Sequence, residues 1–241
     1  NIPTGGFSNV DNTKWTQKAV NFLRSNLFIP DPRKGWNTYA FKQAKQLIET
    51  HNIQNVITTS PPHSTQLIGL KLKRFFKNDI YWIVDFRDPW TDIYYYNLLN
   101  HSFLSKKLDQ KYEKQVIEES DHIVTVSSGF KRLFLEKSEH VKDNKIDIIP
   151  NGFDEDDFKI LESNPYKNNL FTIRYTGTMA DSYEPSIFLK ALKQVHDLGI
   201  EFCFETIGVL SPNIKDQIKT LGFPHKHIEY VDHTEIVKYQ Q

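Results

Sequence analysis

IYWIVDFRDPWTD, residues Ile80 to Asp92, decides the fold. Its first half is an apolar, aromatic and β-branched run of the kind that fills a buried strand, and it breaks at once into Asp85, Arg87, Asp88, Pro89 and Trp90. Charge concentrated where a buried strand emerges is how a site in an open α/β sheet begins. The residues on either side repeat the pattern. Upstream, NVITTS (Asn55–Ser60) ends in hydroxyls, meets Pro61, Pro62, His63 and Ser64, and enters a helix over 65–77. Downstream, a helix over 102–120 leads to DHIVTV (Asp121–Val126), then Ser127, Ser128 and Gly129, then a helix over 130–137. A strand over 145–149 stops at Pro150, Asn151 and Gly152. Strand and helix in alternation predict a parallel sheet with helices on both faces, because parallel strands need long crossovers. Polar residues therefore gather at the carboxyl ends of four successive strands, the edge where such sheets bind ligands, at a reversal of strand order.

Earlier in the chain an amphipathic helix is expected over 14–28 and another over 36–51. After Asn151 the acidic, turn-rich stretch GFDEDDFKILESNPYKNN carries no strong periodicity and marks a domain boundary, giving domains over 1–150 and 151–241. The pattern then restarts. Strands are expected over 171–175, 201–207 and 227–231, helices over 184–198 and 212–221, and a glycine loop over 177–183. Three strands and an unfinished helix would make a poor stand-alone domain, so the chain is expected either to be a fragment or to be completed by a partner.

The 241 residues carry 30 Lys and Arg against 30 Asp and Glu. The balance is local, however: residues 1–150 hold 21 against 16 and the remainder 9 against 14. A basic first half fits an anionic partner, phosphates or a lipid surface, and equally a merely solvated mixed surface. Cys203 is the single cysteine, so no internal disulfide framework exists. No P-loop, GxGxxG, GxSxG, HExxH or Cys/His zinc pattern is present.

Individual residues carry two readings each. The PPHS turn, at a helix N-terminus, suits an anion, or else Ser60 or Ser64 simply caps the helix with His63 in a surface turn. Asp85 and Asp88 fit sugar hydroxyls and Arg87 a phosphate leaving group, or else the three form an internal Asp–Arg pair that fixes the turn. Tyr94, Tyr95 and Tyr96 suit a sugar ring or a lipid, or cover a core. The glycine of TGT, Gly177, lets backbone approach a phosphate.

The segments SPPHSTQLIGLKLK (Ser60–Lys73), WIVDFRDPWTD (Trp82–Asp92), DHIVTVSSGFKRLF (Asp121–Phe134) and IIPNGFDEDDF (Ile148–Phe158), in this order, resemble bacterial family 4 type glycosyltransferases of the GT-B fold. The resemblance covers nearly the whole chain and weakens after Gly177. It implies two Rossmann-like domains facing across a cleft, the second incomplete here. The first would bind a saccharide or lipid-linked acceptor, and the second a nucleotide-sugar donor. It implies sugar transfer with retention in cell-surface polysaccharide or glycolipid synthesis, with no cofactor or metal and no nucleic acid. The location implied is cytoplasmic, with peripheral contact at the inner membrane face.

On this pattern Arg87 and Asp88 take the catalytic side. Ser60, His63, Ser64, Asp85, Trp90, Ser127 and Asn151 line the substrate, and Gly177, Thr178 and Met179 form the donor-phosphate loop. Two departures stand out: no Arg or Lys follows TGTMADSYEP before Lys190, and no glutamate pair spaced eight apart is found. A first β-α-β segment ahead of Asn1 and the rest of the donor domain are expected to complete a chain that reads as the middle of such an enzyme. A non-catalytic two-lobed sugar-binding protein and a GT-B sugar-nucleotide epimerase are the alternatives.

Overall fold

A computed structural model describes residues 22–93, 96–158 and 170–239. The described residues form two compact units, one running to Gly152 and one beginning at Phe153. Tyr94, Tyr95, most of the helix expected over 14–28 and much of the acidic stretch after Phe158 lie outside the described residues.

In the first unit, residues 22–27 are helical and Asp31 caps a 3-10 turn, Pro32–Trp36. The elements that follow are α1 (Asn37–His51), β1 (Asn55–Ser60), α2 (Ser64–Phe76), β2 (Tyr81–Phe86), α3 (Phe103–Glu119), β3 (His122–Thr125), α4 (Ser128–Glu136) and β4 (Ile146–Ile148). The four strands are parallel and lie side by side in sequence order. Right-handed crossovers in a monotonic order place every connecting helix on one face, and the alternation of the strands shows which. Val56, Trp82, Val84, Phe86, Ile123 and Ile146 point into the helix layer, where Leu70, Val116, Ile117 and Phe134 meet them. On the opposite face Ile57 is 65% exposed and Tyr81 46%.

Two sequence expectations are corrected here. Helices do not cover both faces of this sheet among the described residues, and the strand order does not reverse within it. The hydrophobic period of each element was readable, but strand order is a long-range property that period does not contain.

Trp82 is the centre of this core. Its indole Nε1 donates to Thr58 Oγ1 at 2.8 Å, and its ring fills the space above Gly69 in α2. A Cβ on Gly69 would stand 2.2 Å from Trp82 Nε1. Helix and sheet approach this closely because position 69 has no side chain.

The second unit contains β5 (Phe171–Thr176), α5 (Ser186–Asp197), β6 (Phe202–Ile207), α6 (Pro212–Leu221) and β7 (His225–Ile228), with β5, β6 and β7 parallel and again in sequence order. Phe202 and Phe204 pack with Leu189, Leu192, Ile214 and Ile218 from the two helices. On the other face Arg174, Glu205 and Lys226 form a row across the three strands. Arg174 contacts Glu205 at 2.7 Å, and its guanidinium also donates to the carbonyl of Tyr239. The third strand lies earlier than the expected 227–231, because its histidines find a partner: Thr206 Oγ1 lies 2.9 Å from His225 Nε2 and 3.0 Å from His227 Nδ1.

Replacing Gly69 with alanine is expected to destabilise the first unit by about 1–3 kcal/mol, since the neighbour it strikes is a packed ring rather than a flexible chain end. Urea denaturation followed by tryptophan fluorescence checks this; an unchanged midpoint would show that Trp82 retreats freely.

Candidate functional site

The strand pairing sets the geometry of the site. Ser60 pairs with Phe86, Phe86 with Thr125 and Thr125 with Ile148, so the four strands of the first unit end in one row. The loops that leave this row therefore start side by side, and they carry the residues singled out from the sequence.

Arg87 joins the row together. Its backbone N–H donates to the Ser60 carbonyl at 3.0 Å, its Nε donates to Asp85 Oδ2 at 3.0 Å, and its Nη1 donates to Asn151 Oδ1 at 2.6 Å. One guanidinium thus links the end of β2 to the loop after β4. The Arg87 side chain stays 38% exposed, whereas Asp85 Oδ1 is buried without a hydrogen-bond partner among the described residues. Asp88, next in the chain, makes no side-chain hydrogen bond or ion pair among the described residues, and it is only partly buried. Arg87, Asp88 and Asn151 are the groups that this edge offers to a ligand.

The hydroxyls and rings behind them have structural partners. Ser60 is buried and its Oγ accepts from Gln66 Nε2 at 2.9 Å; Gln66 also donates to the Thr58 carbonyl and bonds the Thr58 hydroxyl. Ser64 is buried too, with its N–H and Oγ both donating to the Asp31 carboxylate, at 2.7 and 2.9 Å. The N-terminus of α2, attractive to anions on sequence grounds, is thus occupied by the protein's own carboxylate. Ser127 accepts from the Phe130 N–H at 3.2 Å and caps α4.

His63 stacks on Trp90, with ring centroids 5.0 Å apart and planes 9° from parallel. Both ring nitrogens of His63 are buried with no hydrogen-bond partner among the described residues. Burial pulls its pKa down to about 4, against an opposing pull from Asp31, so the ring is neutral at physiological pH.

Trp90 itself is buried, and its Nε1 donates to Asp109 Oδ1 at 2.7 Å, while the Tyr96 hydroxyl donates to Asp109 Oδ2 at 2.9 Å. One turn along α3, Glu113 accepts from the Thr91 hydroxyl at 2.5 Å and from Lys137 Nζ at 2.9 Å, and Lys137 also reaches Asp92. Burial lowers the Lys137 pKa, but Glu113 and Asp92 outweigh it and the net shift is upward. Asp109 is pushed up to about 7, chiefly by burial, against the two hydrogen bonds that hold it down. Two acids of one helix face therefore fasten the DFRDPWTD turn from below. A cavity of about 480 Å³ opens beside this fastening, at Thr91, Asp92, Lys106, Gln110, Glu113 and Lys137.

The loop after β5 lies in the second unit. Gly177 has φ +131° and open space where a Cβ would be, so the backbone at the strand end is bare. Its N–H donates to the Ile207 carbonyl at 2.8 Å, and the Tyr175 hydroxyl donates to the Thr178 carbonyl at 2.8 Å. Met179 is buried in the core. Gly208, at φ +115°, crosses directly over Gly177: a Cβ there would lie 2.4 Å from the Gly177 carbonyl oxygen. Among the described residues no group of three or more His, Cys, Asp and Glu side chains is disposed to hold a metal.

Residues 8–157 match Glycosyltransferase Family 4. The chain belongs to that family. Among solved structures, this family 4 chain is similar to sucrose-phosphate synthase from Thermosynechococcus elongatus, with a TM-score of 0.56 and 14% identity over 88% of this chain. The match covers 54% of the synthase, so the chain spans about half the length of that relative. A weaker likeness is to a mutant of TarM from S. aureus, solved with fondaparinux, α-GlcNAc-glycerol and UDP, with a TM-score of 0.35 and 13% identity over 71% of this chain and 37% of that one. No curated protein matches the chain. The α/β Rossmann-like architecture is that expected for the GT-B fold of the family.

Asp31, Gln66, Asp109, Glu113, Lys137 and Gly208 were not singled out from the sequence. Asp109 and Glu113 had a readable signal, since acids four apart stand on one helical face whose neighbours are lysines and apolar residues.

The raised pKa of Asp109 fixes the sign of a pH effect. The folded protein takes up this proton more readily than the unfolded chain, so the contribution of Asp109 is full below about pH 4 and is lost as pH rises through about 7. His63 works in the opposite sense, its contribution being lost as pH falls through about 4. The difference between wild type and Asp109→Asn isolates the first effect. Wild type is expected to lose stability relative to the variant between pH 4 and 7, by a few kcal/mol, in urea midpoints taken across that range.

Proposed function

We propose that this chain forms part of a retaining glycosyltransferase that moves a sugar from a nucleotide-sugar to a saccharide or lipid-linked acceptor in cell-surface polysaccharide or glycolipid synthesis. The observation that carries this reading is the coincidence of the family match with the Arg87–Asp85–Asn151 tie at the aligned strand ends. In the reaction, the bond between the anomeric carbon and the donor phosphate breaks, and its electron pair leaves with the nucleoside diphosphate. The acceptor oxygen bonds to the anomeric carbon on the same face, and its proton passes to the leaving phosphate.

Charge grows on the leaving group as that bond breaks. Arg87 supplies a permanently charged fork for it, held in place by Asp85 and Asn151 so that little reorganisation is needed. Asp88, with no side-chain partner among the described residues, accepts a hydrogen bond from a hydroxyl of the sugar. His63, neutral and stacked on Trp90, stands on the acceptor side. In the second unit the donor phosphates are assigned to the Thr178 N–H beside the side-chain-free Gly177, whose own N–H is already given to the Ile207 carbonyl. Charge stabilisation in this scheme is assigned to the guanidinium, and no metal is assigned a role. Among the described residues no helix is long and apolar enough to cross a membrane. The expected location is cytoplasmic, at the inner membrane face.

The test is acceptor-dependent release of nucleoside diphosphate from a panel of nucleotide-sugars, with retention read from the anomeric coupling of the product. Asp88→Asn is expected to lower transfer on the order of 100-fold or more with an unchanged thermal midpoint. Normal turnover by that variant would remove Asp88 from the site. Sugar binding without turnover by any donor would favour a binding protein, and interconversion of the donor without acceptor an epimerase.

A further inference from the structure

We infer that the start of α3, together with the helical residues just before Ile29, is a docking surface for an anionic lipid bilayer. The two segments are adjacent in the first unit. Asn26 Oδ1 accepts from the Ser102 N–H at 2.7 Å, Asn26 Nδ2 donates to the Asn100 carbonyl at 3.2 Å, and His101 Nδ1 lies 2.9 Å from the Ser25 carbonyl oxygen. Their outer sides are apolar and open to solvent. Phe103 is 71% exposed, Leu104 76% and Leu27 70%, and Phe22, Leu23 and Phe28 are exposed with them.

Around these side chains the exposed charge is mainly basic, and the nearest exposed acid, Asp92 in the adjoining cavity, is already paired with Lys137. Arg24, Lys106, Lys107 and Lys111 are exposed, with Lys114 beyond them paired to Glu118 at 3.7 Å, while the acids in the first three turns of α3, Asp109 and Glu113, are buried beneath the DFRDPWTD turn. Lys107 Nζ sits 4.5 Å above the Phe103 ring, and Lys106 and Lys111 have no acidic partner among the described residues.

Charge decides the occupant. A protein interface of this apolar character would be depleted of lysine at its core, whereas lysines and an arginine surrounding exposed Phe and Leu match a headgroup layer above acyl chains. The same helix fastens the turn that carries Arg87 and Asp88, so docking through its first turns brings the acceptor edge to the lipid surface. This deepens the lipid-linked acceptor part of the proposed function, and it is measured without turnover.

The experiment is co-sedimentation of the protein with vesicles of phosphatidylcholine containing about one-third phosphatidylglycerol, beside vesicles of phosphatidylcholine alone. Binding to the anionic vesicles, weakened by high salt, is expected. Phe103→Ser with Leu104→Ser should weaken it about tenfold or more, and Lys106→Gln with Lys107→Gln on the order of 25-fold, at about fivefold per lysine. Unchanged thermal midpoints would show that the variants are folded, as the large exposure of these side chains leads one to expect. Equal binding by wild type and both variants, or none by wild type, overturns the inference. So does a concentration-dependent dimer that the serine variant dissolves while vesicles are ignored, which would assign the patch to a second copy of the chain. Transfer to a water-soluble acceptor tests the proposed activity separately: its persistence beside absent vesicle binding sinks the docking surface alone.

Discussion

A carboxylate inside α3, Asp109, accepts hydrogen bonds from the indole of Trp90 and the phenol of Tyr96, and those bonds determine where the turn after β2 can lie. The turn cannot hold itself: it is an irregular segment rich in charge, and its backbone has no ladder to join once the strand ends. Asp109 fixes its aromatic end. Glu113, one turn further along the same helix, fixes Thr91 and, through Lys137, Asp92. With both in place Trp90 is buried, His63 has a flat surface to stack upon, and Arg87 is left projecting from the strand end toward Asn151. Removing Asp109 would leave two buried donors unsatisfied, which costs more than the bonds themselves contribute.

The polar residues at this edge therefore fall into two sets by what they do. Ser60, Ser64, Ser127, Gln66 and Asp31 satisfy one another and the helix ends, so that four strands can finish in a row without exposing unpaired backbone. Arg87, Asp88 and Asn151 remain partly open. A site of this kind is pre-organised because the supporting hydrogen bonds are complete before any ligand arrives. The orphaned nitrogens of His63 and the orphaned Oδ1 of Asp85 are the exceptions, and unsatisfied buried groups of this sort mark where a fold has left interaction capacity unused.

How much of this was legible follows from the range of each cause. The helix expected over 212–221 begins and ends where the sequence places it, because Ser211 caps it, Pro212 opens it and Gly222 closes it in the left-handed region. These are local devices. The strand expected over 227–231 is found at His225–Ile228, since its histidines depend on Thr206, far off in the chain. The types of residue at the site were visible, and so was the edge on which they stand. Their directions were not. Nothing in the string says that Ser64 faces Asp31 or that Trp90 turns inward, because each contact spans tens of residues and is selected by packing. Strand order was hidden for the same reason, and with it the bare face that carries Ile57 and Tyr81.

Strand order has a further consequence. In both sheets each strand lies beside the strand that precedes it in the chain, with one helical crossover between them. Closing such a crossover costs less chain entropy than pairing strands from opposite ends of a domain, by about 0.6 kcal/mol for each halving of the loop, so every unit of growth is local. The sheet of either unit can be assembled as the chain emerges during synthesis, each new strand completing a template already formed by its predecessor.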